Sequence, residues 1–91
     1  MKHNPQFTLG DVECDDDIYH LIDYYDLDLR YFFQKHIRCN WGEITGEKAE
    51  EQDLIIKNRE VKEVKSIWNF SGENICIITN PERTLTKVKV I

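Results

Sequence analysis

The sequence has no uninterrupted apolar run of about eighteen residues, so no membrane-spanning helix is expected. Its start carries no basic stretch followed by an apolar one, as a secretory leader would, so a cytoplasmic setting is expected. The three cysteines, Cys14, Cys39 and Cys76, are odd in number and form no C-x-x-C pair, which argues against a disulfide framework and for reduced thiols. Histidine is as sparse. His36 and Cys39 stand three residues apart at a helix end, but no second pair of ligands completes a tetrahedral zinc site, so no metal is expected. With only four glycines there is no phosphate-cradling loop, and nothing else in the sequence calls for a cofactor. Linkers, repeats and low-complexity tracts are also missing, so residues 1–91 read as a single domain.

Positive charge is in short supply. Seventeen acidic against twelve basic residues leave a formal charge of -5, which repels phosphate backbones and anionic membranes and disfavours nucleic acid as a partner. The charge is also lopsided. Asp15, Asp16, Asp17, Asp23, Asp26 and Asp28 load the first half, whereas Lys57, Arg59, Lys62, Lys65, Arg83, Lys87 and Lys89 load the second. Such a distribution suits docking to a protein with complementary patches, and a homodimer is compatible with it.

Two tryptophans, four tyrosines and four phenylalanines supply much of the core material for a chain this short. After a short extended arm around Phe7, Leu9 and Val12, Ile18, Leu21, Ile22 and Tyr25 recur at helical spacing, with Asp15 as the expected N-cap. Asp28 is placed to cap a second helix carrying Leu29, Phe32, Phe33 and Ile37, which ends near Arg38 to Asn40. Gly42 suits a left-handed turn out of that helix, and Trp41 beside it is expected to fold back as a core plug. A third helix is expected between Thr45 and Asn58, exposed at its acidic start and buried near Leu54 and Ile55.

Three strands follow: Val64 to Phe70, Ile75 to Asn80 and Thr84 to Ile91, turned by Ser71-Gly72 and Pro81-Glu82-Arg83. The middle one is apolar on both faces and belongs inside the sheet. The expected fold class is therefore α+β, with two or three N-terminal helices on one face of a three- to four-stranded antiparallel sheet.

The order of landmarks, F-x-L-G, F-x-x-H, W-G-E, a V-x-S strand and I-I-T-x-x-x-R-[ST]-x-T-x-V, resembles a family of small bacterial proteins of plasmids, phages and integrative elements. They are usually labelled plasmid-related or hypothetical. The resemblance spans roughly residues 7 to 90 and rests on Phe7, Leu9, Gly10, Phe32, His36, Trp41, Gly42, Glu43, Ser66, Ile77, Ile78, Thr79, Arg83, Thr84, Thr86 and Val88. The family commonly has Gly-Asp where this chain has Cys39-Asn40, and an acidic residue where it has Asn80, so no carboxylate-dependent activity carries over. The resemblance brings no settled biochemical function with it, and it favours a macromolecule-binding protein of a mobile element, such as an inhibitor or modulator of a host defence protein.

His36, Trp41, Asn80, Arg83 and Thr86 are accordingly the candidate binding residues. The competing reading is a metal-independent ribonuclease of the barnase, EndoU or RelE kind. His36 would then be its acid or base, Arg83 would stabilise charge on the phosphate, and Thr86 would line the site. Each has a structural alternative. His36 can cap its helix, Arg83 can be a hairpin residue, and Cys39 lacks the positioned base that a nucleophilic thiolate needs. The Tyr24-Tyr25 pair, with Trp68 and Phe70, offers aromatic anchors wherever these side chains stay exposed.

Overall fold

In the computed structural model, which describes residues 4–91, the chain runs β1 (Asp11–Cys14), α1 (Asp16–Tyr25), α2 (Leu29–His36), α3 (Gly46–Lys57), β2 (Val64–Phe70), β3 (Glu73–Thr79) and β4 (Leu85–Val90). This is the expected α+β fold. The strands form one sheet in the order β1-β4-β3-β2, and it is mixed, not purely antiparallel: β1 lies parallel to β4. A tight turn can join only antiparallel neighbours, so β2, β3 and β4 form a meander, while β1 reaches β4 from the far end of the chain.

Local chemistry accounts for most boundaries. Asp28 accepts from the Arg30 amide at 3.0 Å and starts α2, whereas Asp15 occupies the N-cap of α1 without a side-chain bond. Ser71 and Gly72, both at positive φ, form the two-residue turn between Phe70 and Glu73. Gly42 has φ of 66°, and a β-carbon there would meet the Ile67 carbonyl oxygen at 2.1 Å. No other residue fits.

Alternation along β2, β3 and β4 puts Val64, Ser66, Trp68, Ile75, Ile77, Thr79, Thr86 and Val88 on one face of the sheet. Helices α1 and α2 cover that face, closing a core of Ile18, Leu21, Leu27, Phe32, Ile75, Ile77 and Val88. Two expectations fail here. Tyr25 is 53% exposed, because Ile18 and Leu21 already fill the contact of α1 with the sheet. Leu54 is 51% exposed and Ile55 half-buried, because α3 lies along the β2 edge and its buried residue is Gln52. The Gln52 amide bonds the Lys65 backbone in both directions, at 2.9 and 2.7 Å.

Among the described residues no helix is long and apolar enough to cross a membrane.

Candidate functional site

The landmark residues converge on the end of the sheet where Ser66, Thr79 and Thr86 point inward. His36, in the last turn of α2, is fully buried between these strands: Nδ1 lies 2.7 Å from Ser66 Oγ and Nε2 lies 2.9 Å from Thr79 Oγ1. Thr79 Oγ1 lies 2.8 Å from Thr86 Oγ1, which donates to the Leu9 carbonyl at 2.8 Å. At the other end Trp68 Nε1 donates to Ser66 Oγ at 2.8 Å.

The two ends determine the direction of every bond between them. The Leu9 carbonyl only accepts, so the Thr86 proton is directed to it and the Thr79 hydroxyl donates to Thr86. Thr79 must then accept from His36 Nε2–H. The indole only donates, and Ser66 completes the chain by donating to Nδ1. His36 is thus the neutral Nε2–H tautomer. Burial, and after it the nearby Arg83 charge, push its pKa down from 6.5 to about 3. Charging Nδ1 would also leave the buried Ser66 proton without an acceptor, and among the described residues no buried side-chain polar atom lacks a partner.

The arm from Gln6 to Gly10 closes this network from outside. Gln6 N–H donates to the Ile37 carbonyl at 2.7 Å, and the Phe7 ring lies edge-on to His36 at 5.3 Å and stacks on Trp41 at 6.1 Å. Trp41, 3% exposed, meets His36 edge-on at 5.6 Å and donates from Nε1 to Asp53 on α3 at 2.9 Å. It is buried as expected, at the junction of α2, α3 and the arm. Arg83 lies over Phe7, 5.6 Å from the ring centroid, near enough for its charge to act on His36 but with no hydrogen bond to it.

His36 and Thr86 therefore share one sealed network with Trp41 against it, while Arg83 stands outside. Both ring nitrogens of His36 are occupied, and the residue has no exposed surface through which a phosphodiester could reach it. Asn80 organises the β3–β4 turn: its Oδ1 accepts from the Thr84 and Leu85 amides at 2.8 and 3.1 Å. Sequence reasoning missed Ser66 and Thr79 as partners of His36. The available signal was three hydroxyl residues at inward positions of otherwise apolar strand faces.

Arg83 faces a groove. Its Nη1 donates to the Lys62 and Asn80 carbonyls, both at 2.8 Å, which leaves Nε and Nη2 without a hydrogen-bond partner among the described residues. Partial burial lowers the Arg83 pKa without discharging it. A cleft of about 350 Å³ is walled by Phe7 and Gln6 from the arm, Ile55, Ile56, Arg59, Glu60 and Val61 around the end of α3, and Pro81 and Arg83. A second cleft of about 420 Å³, with Leu54, Lys57 and Cys39, adjoins it and shares Gln6, Ile56 and Arg59. Val61 is 75% exposed and Leu54 51%. Among the described residues the ion pairs are Arg30 with Asp28 and Lys62 with Glu60, so neither Arg59 nor Arg83 has a carboxylate at ion-pairing distance, and Glu82 acts on Arg83 only from farther away.

Among the described residues no group of three histidine, cysteine or acidic side chains converges as a metal would require. Cys14 and Cys76 are free thiols, and burial raises the pKa of both. Compared with protein-family models, curated proteins and solved structures, the chain matches none.

Proposed function

We propose that this chain is a macromolecule-binding protein whose groove beside Arg83 takes an acidic, apolar segment of a protein partner. What carries the reading is an apolar run, Leu54 to Ile56 with Val61, left at the surface beside two arginines that lack carboxylate partners. Interfaces favour this combination, because a guanidinium held by other bonds loses little freedom when it grips a carboxylate and the surrounding apolar side chains exclude water. The anchoring of Arg83 to two backbone carbonyls supports such a role.

The resemblance to proteins of plasmids, phages and integrative elements favours a partner in the host cytoplasm. A component of a defence system, inhibited or modulated by occupation of its surface, is the proposed target. Catalysis is not part of this reading, since the sealed histidine is supplied with hydrogen bonds from within.

Copurification from cells followed by mass spectrometry identifies the partner, and Arg83→Ala weakens the complex by roughly 1 to 3 kcal/mol if Arg83 is an anchor. Circular dichroism of the variant checks that the fold persists. Equal capture by wild type and Arg83→Ala, or metal-independent RNA cleavage that disappears in His36→Ala, would overturn the proposal.

A further inference from the structure

The two edges of the sheet are treated differently. On the β2 edge, the Lys65 backbone is bonded in both directions by Gln52, Ile67 N–H donates to the Trp41 carbonyl at 3.2 Å, and Glu43 N–H donates to Ile67 at 2.7 Å. Side chain and loop thus occupy the positions of a further strand, as proteins commonly arrange to protect an edge. The β1 edge has no such cover among the described residues. Asp11 and Asp15 N–H donate to the Thr84 and Val88 carbonyls of β4, at 2.9 and 3.0 Å. The alternation of a parallel ladder therefore turns the backbone groups of Val12 and Cys14 outward. Val12 is 42% exposed, and Asp11 and Glu13 are exposed.

We infer that the open edge of β1 is a strand-addition site for an extended protein segment in which basic and apolar residues alternate. The inner edge of β1 already pairs with such a strand: Glu13 stands beside Lys87 and Cys14 beside Val88. An incoming strand in the same sense meets Asp11 and Glu13 on one face of the sheet and Val12 and Cys14 on the other. Main-chain bonds supply affinity, and the alternating side chains supply selectivity. A second copy is a poor occupant, since two β1 edges would set Asp11 and Glu13 of one chain against the same carboxylates of the other. This site lies at the opposite edge of the sheet from the strand that α3 flanks, and it does not depend on the groove beside Arg83.

The test uses the full chain, isotope-labelled, with a capped peptide Thr-Lys-Val-Lys-Val-Ile, the sequence of residues 86–91, and a control in which both lysines are glutamate. The lysine peptide is expected to shift the Val12 and Cys14 amides and to slow their hydrogen exchange about tenfold or more, while the glutamate peptide does neither. Val12→Pro removes an outward N–H that β4 does not use, so it abolishes binding and keeps the sheet. If that variant fails to fold, Asp11→Asn with Glu13→Gln carries the test, with an expected loss of about tenfold in affinity. Unshifted β1 amides, equal binding of both peptides, or self-association relieved by the paired neutral substitutions would each overturn the inference.

Discussion

Trp41→Ala is expected to cost about 3 to 5 kcal/mol, a large part of the total stability of a domain this small. The indole is 3% exposed and joins three parts of the chain: Phe7 of the arm, His36 of α2 and Asp53 of α3. Truncation opens a cavity over the histidine network and leaves the Phe7 ring without its stacking partner. At about 4 to 8 °C per kcal/mol for a short domain, a fall of roughly 12 to 40 °C in Tm follows. Trp41→Phe separates packing from polarity: it keeps a ring in place and loses the bond to Asp53, for about 1 kcal/mol. Thermal melts of the two variants check this. A Tm of Trp41→Ala close to that of wild type would refute the placement of the indole as a plug.

Much of the fold was legible because local signals and burial agree. Asp28 announces the start of α2, Ser71-Gly72 the first hairpin, and Ile75 to Ile78 the central strand. Where the reading failed, the deciding interaction was distant in sequence. The parallel pairing of β1 with β4 joins residues some seventy positions apart and leaves no local mark. Leu54 and Ile55 look like core in a helical pattern, yet Gln52 draws α3 to the β2 edge by imitating a strand, and the apolar run stays outside.

The site was half legible for the same reason. His36 and Thr86 do share one network, as packing of the second helix on the sheet would bring about, but Ser66 and Thr79 complete the histidine's bonding only once the register Thr79 opposite Thr86 and Ser66 opposite Ile77 is known. Arg83 was read together with His36. His36 is buried and bonded to Ser66 and Thr79, whereas Arg83 bonds the Lys62 and Asn80 carbonyls beside a cleft, so one belongs to the interior and the other to a surface.

Acidification is expected to destabilise the protein through His36 as pH falls below 6.5. The folded-state pKa is about 3 against 6.5, because burial and then the Arg83 charge penalise the imidazolium, so between these values the unfolded chain binds the extra proton. The stabilisation is fully present above pH 6.5 and is lost as pH falls toward 3. At most it changes by about 1.4 kcal/mol per pH unit, on the order of 5 kcal/mol across the window. Carboxylates ordinarily titrate near pH 4 and imidazoles near 6.5, so denaturant melts between pH 7 and 5 select histidines, and comparison with a His36 variant assigns the effect to this one. His36→Gln, which cannot titrate, should show a flatter dependence there. If that variant does not fold, nitrogen-15 NMR of wild type supplies the readout: the ring should keep its proton on Nε2 and remain neutral at pH 5. A His36 resonance titrating near pH 6.5 would show that water reaches the ring, contradicting the sealed network and restoring the histidine as an acid or base for chemistry.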